Sequence, residues 1–476
     1  MGSDQLQHTK SRGVVPINHI GNTVKQSAKN GSLNVPQLIL IGVGGIIGAG
    51  FFLGVGLPIR TAGQAVLFAF LIGAFVTAHV VGALTSLAVY QPVKGSFMVY
   101  TQEYIGNFAG FIEGWGYYIS SILVIVSEAV AMSIFTKMWI PMIPSWITTS
   151  VFALIILLIN AFGTKNFSYV ESLMSVVKIA ALVGLIVVLG LEWVHPYANQ
   201  SQALTSGQFH SRFFANGASG LFQSMLIVIF AYAGIGVFGT AAVEMRNPKH
   251  IERAAWVTIS ALTILYIVSI AILLVVVPLH DISTNISPFV IALQHTGIPI
   301  IAQIFNGIIL IASFSVMAGS VFSANQILYG LAQMHESPSF VTRTGKNNVL
   351  YGALAITATS IAITILISYL LPANVYNFLI SSSSFFTLLT WFLILWAFLS
   401  WHKITRGKAL FVSSLAMGKP VMTVVVMIII VLLAGYALLQ RDQLYGFYAF
   451  VVILLAISAS YLLFIKNQRK ITRQFE

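Results

Sequence analysis

The sequence predicts an all-α polytopic membrane protein of twelve transmembrane helices, and three observations predict it. Of its 476 residues, 58% are hydrophobic and only 8% charged, with a mean hydropathy of +0.91. A soluble domain carries about 25% charged residues. Twelve apolar stretches are long enough to cross a bilayer, which takes about 20 residues each. Lys and Arg also fall unevenly between the two sides that these stretches define.

The chain opens with a polar tail over 1–35, and no cleavable signal is evident. Apolar stretches follow at approximately 37–57, 64–90, 98–135, 146–163, 170–193, 218–240, 255–279, 298–332, 349–371, 376–399, 420–439 and 446–465. The third and eighth are overlong, which predicts strong tilt or partial exit from the membrane. A second tail spans 466–476. With the N-terminus in the cytoplasm, nineteen of the 24 Lys and Arg lie inside. Arg60, Lys137, Arg212 and Arg441 lie outside, and Lys178 lies within a span. Both termini are therefore expected in the cytoplasm of a cell-membrane protein. The largest external loop is about His195–Gly217, and the largest internal ones are Gln333–Asn348 and His402–Lys419. None is long enough to fold as a domain, so the function is expected inside the bilayer. The net charge of +12 follows the membrane topology and is no nucleic-acid signal.

Span one carries the densest anomaly. Ile41–Gly56 reads IGVGGIIGAGFFLGVG, with seven glycines. Each costs a helix about 1 kcal/mol relative to alanine. Close helix packing explains them, since Gly44-xxx-Gly48 and Gly50-xxx-Gly54 are small-xxx-small pairs. So does a helix broken at mid-membrane to expose backbone groups to a solute. Span six repeats the pattern in Phe230-Ala-Tyr-Ala-Gly-Ile-Gly-Val-Phe-Gly239, three glycines in six residues. Spans one and six open two sets of five, and glycine interruptions at matching positions favour the broken-helix reading. Amides at such a break favour an anionic group, and carbonyls favour an ammonium or a cation.

Gly44-Gly45-Ile46-Ile47-Gly48-Ala49-Gly50-Phe51-Phe52-Leu53-Gly54 resembles the first-helix signature of the amino acid–polyamine–organocation superfamily, in its bacterial amino acid permease branch. Pro92-Val93-Lys94-Gly95-Ser96-Phe97, Gly110-Phe111 with Gly114-Trp115 and Tyr117, Ala241-Ala-Val-Glu-Met-Arg-Asn-Pro248, and Leu328-Tyr-Gly-Leu-Ala332 continue the likeness in order. The resemblance implies the LeuT-like fold, a 5+5 inverted repeat with helices 1 and 6 broken. The repeats would cover 36–195 and 196–400, with two further helices in 401–465. It also implies coupled amino acid transport by alternating access. Substrate would then meet Ile47, Gly48, Ala49, Gly50, Phe230, Ala231, Tyr232, Gly234 and Ser315. Phe230 or Tyr232 would close over it as a gate. Lys178 resembles the fifth-helix lysine of proton-coupled members, where the ammonium takes the place of sodium beside carbonyls near Ile46 and Ile47. Where the family often has glutamate the chain has Gly236, and where it often has arginine the chain has Gln326. Loss of that carboxylate favours neutral L-amino acids. An exchanger or a sodium-coupled carrier of the same fold is the alternative.

Lys178 lies nine residues into span five, about 13 Å deep at 1.5 Å per residue. An ammonium there needs a partner, a cavity or loss of its proton. Glu113 and Glu128 are fifteen residues apart in span three and share a face; both are gating candidates, Glu128 also fitting a surface carboxylate near the outer end. Glu103, Glu171 and Glu192 fall near span ends, where solvation is expected. The hydroxyls of spans eight and ten read mostly as packing groups bonded to their own helices.

An enzyme would need a nucleophile with a base or a metal cluster at bilayer depth. No HExxH or GxSxG occurs, cysteine is absent, and His79 alone among the histidines lies well inside a span. No catalytic residue, metal or cofactor is assigned. The expected partners are an amino acid, protons and the bilayer, with oligomeric state left open.

Overall fold

A computed structural model describes residues 33–93, 95–161, 167–194, 213–283, 286–345, 349–370, 375–405 and 410–465. The expected cytoplasmic tails, most of the 195–217 loop with Arg212, and Lys94, Lys165, Lys346, Arg406 and Lys408 lie outside the described residues. The described chain is helical, apart from isolated bridges such as Leu33 with Met245. Nine of its helical segments are long and apolar enough to cross a bilayer. Val35–Ile46, Ser145–Ala161 and Val421–Ala437 are shorter apolar helices beside them.

Span one is three helices: α1 (Val35–Ile46), α2 (Ala49–Phe52) and α3 (Gly56–Ala62). Asn34 starts it by accepting a hydrogen bond from the Gln37 amide, while the Gln37 side chain accepts one from the Asn34 amide, each at 3.0 Å. This reciprocal cap satisfies two of the donors a helix start leaves open. Span two is α4 (Val66–Tyr90). The overlong third stretch is divided by Gly106, at φ 140°, into α5 (Ser96–Tyr104) and α6 (Asn107–Thr136). Spans four and five are α7 (Ser145–Ala161) and α8 (Phe167–Val194).

Span six is α9 (Gly217–Tyr232) and α10 (Ile235–Ala242), and span seven is α11 (Ile251–Val276). The connection to span eight contains a further short helix, α12 (Pro288–His295), which the hydropathy pattern did not mark. The eighth stretch stays whole as α13 (Pro299–Gln333). Its 35 residues measure about 52 Å at 1.5 Å per residue, well beyond a hydrocarbon core of about 30 Å. Spans nine to twelve are α14 (Tyr351–Leu370), α15 (Val375–Ile404), α16 (Val421–Ala437) and α17 (Arg441–Ser460).

The broken spans sit at the centre. α1 packs on α8, α10, α11 and α13, while α6 lies between α13 and α15. α14 and α17 are peripheral and keep most of their apolar surface outward. Water-poor surroundings forbid unpaired backbone groups, each costing several kcal/mol, so a gap in a helix must be filled by other donors and acceptors. Span one meets that condition with side chains from its neighbours.

Candidate functional site

The backbone leaves helical geometry at Ile47 (φ −76°, ψ 104°) and Gly48 (φ −146°, ψ −159°). Ile47 N–H still reaches Val43 O at 3.0 Å. Gly44 O is therefore the first carbonyl that the break releases, and Lys178 Nζ donates to it. Lys178 is fully buried, on Gly44 rather than on the carbonyls of Ile46 and Ile47. Ser175, one turn earlier on α8, donates to Leu40 O at 2.7 Å.

On the far side of the break the Ala49 amide donates to Glu128 Oε2 at 2.9 Å. Glu128 is 2% exposed, which corrects its reading as a surface carboxylate. α6 is packed against α13 and α15, and its buried residues run from Gly110 to Phe135 with Glu128 among them. A carboxylate of the protein thus already occupies an amide expected to receive a substrate carboxylate. Tyr376 Oη donates to Ala49 O at 2.9 Å, and Ser287 Oγ to Phe52 O at 2.7 Å. Side chains from spans three, five and ten, with the α12 connection, thereby replace what the helix lost.

Span six bends more gently. Ala233 (φ −59°, ψ −28°) and Gly234 (φ −61°, ψ −2°) keep helical angles. The amides of Ala233 and Val237 bond three residues back, at 3.0 Å each. A methyl group built on Gly234 would stand 1.9 Å from Gly45 O, so this glycine permits backbone-to-backbone contact between the two interrupted spans.

Between them lies a cavity of about 40 Å3. Gly50, Phe230, Gly234 and Glu128 line it. Its remaining wall includes Phe97, Tyr117, Val124, Val316 and Trp391, with hydroxyls from Ser120, Ser121, Ser320, Thr387 and Thr390. The Phe230 ring lies over Gly50, where a methyl would come within 2.7 Å of two ring carbons. The Tyr117 ring and hydroxyl fill the space that a side chain at Gly236 would take, within 2.3–2.7 Å of its Cβ.

Other expected residues stand elsewhere. Ile47 is buried in the core. Ala231 gives its carbonyl to Tyr266 Oη at 3.1 Å. Tyr232 is not among the residues that line the cavity. Its hydroxyl donates to Phe70 O at 3.2 Å, and its ring packs on Phe70 and Tyr266 because it leaves α9 on the side facing α4 and α11. Those rings belong to an aromatic plug with Phe51, Phe52, Phe289 and Phe305, in which Phe51 stacks on Tyr266 at 3.9 Å. It joins α2 to α4, α11, α12 and α13.

Ser315 faces Glu171, donating to its Oε1 at 2.5 Å. Glu171 is 1% exposed rather than solvated. No sequence signal marked it, since its burial comes from α1 and α13, which bring Gly44 and Ser315 against it. Glu113 is also buried, one turn before Tyr117, and neither of its oxygens has a hydrogen-bond partner among the described residues. His79 Nε2 meets Thr423 Oγ1 at 2.9 Å and ties α4 to α16. Among the described residues no cluster of metal-binding side chains occurs.

Two interrupted helices beside a buried cavity are the arrangement in which secondary transporters hold a solute. The amino acid permease family model matches residues 37–473, and the chain belongs to that family. It is 33% identical over 444 residues to an uncharacterized transporter, YcgH, of Bacillus subtilis, covering 93% of this chain and 97% of the relative. It is 29% identical over 391 residues to the aromatic amino acid transport protein AroP of Escherichia coli, covering 82% and 84%. A mutant of the Eremococcus coleocola manganese transporter shares the fold, with a TM-score of 0.61 at 13% identity over 94% of this chain and 97% of that one. The fold is thus the all-helical LeuT-like arrangement expected, and the protein is a multi-pass amino acid transporter.

Proposed function

We propose that this permease imports neutral L-amino acids with large apolar or aromatic side chains, by alternating access and proton symport. The observation that carries this reading is the wall of the cavity. Phe97, Tyr117, Phe230 and Trp391 offer broad apolar faces, which suit a ring or a branched chain. Tyr117 fills the place beside Gly236 where a carboxylate could have met a cationic side chain. Two relatives from different bacteria are named for transport, one of them for aromatic amino acids, in keeping with that wall.

The substrate carboxylate would take the amides about Gly48, Ala49 and Gly50, displacing Glu128 from Ala49, and its ammonium would face carbonyls of Phe230, Ala231 or Gly234. Phe230 would act as the gate. Twelve crossings, repeats over 36–195 and 196–400, and cytoplasmic termini complete the proposal. On that topology the aromatic plug closes the outer side, and the cavity lies towards the cytoplasm.

Thermal unfolding of purified protein with each common amino acid tests the substrate class. A ligand at a hundred times its Kd stabilises by about 2.7 kcal/mol. Phe, Tyr, Trp or Leu should raise Tm, while Lys, Arg, Asp and Glu should not. Stabilisation by a charged amino acid alone would overturn the assignment.

A further inference from the structure

Span five carries a buried carboxylate that the coupling scheme above does not use. Glu171 lies on the first turns of α8, with Oε1 held by Ser315 Oγ and Oε2 without a hydrogen-bond partner among the described residues. Ser175 follows four residues later and Lys178 three after that, so the three share one helix face. That face lies against α1, with Ser175 on Leu40 O and Lys178 on Gly44 O. A methyl at Gly44 would stand 2.3 Å from Glu171 Oε1 and 2.1 Å from Ser175 Oγ. The carboxylate therefore approaches the α1 backbone as closely as glycine alone permits.

The surroundings of the pair are sparse in charge. α1 and α13 contain no charged side chain; they present carbonyls and the Ser315 hydroxyl. From α6, Glu128 holds the Ala49 amide beyond the break, while Glu171 and Lys178 both reach Gly44 from one face of α8. α11 and α12 also pack on α8. Glu252 and Arg253 stand at the start of α11, His295 at the end of α12, and Tyr266 is engaged with Ala231 O. A buried ammonium is retained when a buried anion balances it, and removing that anion favours the neutral amine.

We propose that Glu171 is a positioning residue for the coupling ammonium. Its carboxylate, oriented by Ser315, keeps Lys178 protonated while α1 is docked on α8 and α13. It thereby sets the pH at which the proton-linked step of transport occurs. This rests on the reading of Lys178 as the coupling group, and it assigns the second member of that site.

The test is counterflow exchange of a labelled substrate in sodium-free proteoliposomes with equal pH on both sides, scanned from acid to alkaline. Exchange should fall as pH rises through the loss of the Lys178 proton. Glu171→Gln keeps the size of the side chain and an acceptor for Ser315 but removes the charge. Its limb should move to lower pH by about one to three units, the usual effect of one neighbouring opposite charge, while substrate still raises its Tm. Glu171→Asp should stay near the parent profile. Should Glu171→Gln fail to fold, Ser315→Ala must move the limb the same way by a smaller amount. A limb that stays in place in a folded, substrate-binding Glu171→Gln, or in Ser315→Ala where only that variant folds, overturns the proposal, as does a parent profile without a limb. If the limb shifts but the parent does not accumulate substrate under a proton gradient, Glu171 keeps its role and transport is exchange.

Discussion

In span one the backbone abandons helical angles at Ile47 and Gly48, whereas in span six Ala233 and Gly234 keep them and only the hydrogen bonding slackens. The difference shows in what each glycine run meets. Around the first interruption, freed groups are claimed by Glu128, Lys178 and Tyr376 from three other spans. Around the second, Gly234 meets the backbone of Gly45, and Gly236 meets the Tyr117 ring. Packing and unwinding, the two explanations open for a glycine-rich span, are both present. Span one unwinds at Gly48 and also packs closely, with Gly44 against Glu171 and Ser175 and Gly50 against Phe230, while span six keeps helical angles and packs.

That contrast predicts unlike responses to the same kind of change. Gly234→Val should be the most damaging, because its Cβ would overlap the Gly45 carbonyl, a backbone group that cannot swing aside as a side chain does. Overpacking of this kind costs about 1–3 kcal/mol or more, so the variant should show a lowered Tm together with lost binding. Gly48→Leu meets the ends of side chains instead, Glu128 Oε1 and Val316 Cγ2 at 2.7 Å each. It should remain folded but no longer be stabilised by substrate. If both variants lose stability alike, the two interruptions are not different in kind.

The neighbouring aromatics of α9 sharpen the same contrast with smaller effects. Phe230→Ala removes the ring over Gly50 and should weaken uptake strongly in a protein that still folds. Tyr232→Phe removes one hydroxyl bonded to Phe70 O, worth about 0.5–1.5 kcal/mol, and should lower Tm slightly with uptake largely kept. The reverse ranking in an uptake assay would return Tyr232 to the gate and Phe230 to the core.

Composition, the apolar stretches and both glycine runs were legible because they depend on neighbours in sequence. So was Lys178, whose depth follows from its position in a continuous apolar helix. The partners were not. Glu128 meets Ala49 across 79 residues and Ser315 meets Glu171 across 144, and nothing local to any of the four announces the pairing. Nearness to a span end predicts solvation for Glu171, yet burial there depends on how closely α1 and α13 pack on α8. Tyr232 and Phe230 are two residues apart in one apolar run, and the side each faces is fixed by the neighbours of α9. The division of the third stretch was half legible, since Gly106 stands in it, but its positive φ belongs to the folded chain.

The coupling step at the first interruption is measured most directly by accumulation of a labelled aromatic amino acid in proteoliposomes under imposed ion gradients. An inward proton gradient alone, with potassium or choline in place of sodium, should drive uptake above equilibrium. Lys178→Ala should still bind substrate and lose that accumulation. Obligatory sodium, or undiminished accumulation by Lys178→Ala, would contradict the account and leave Lys178 as a structural tether between α8 and Gly44.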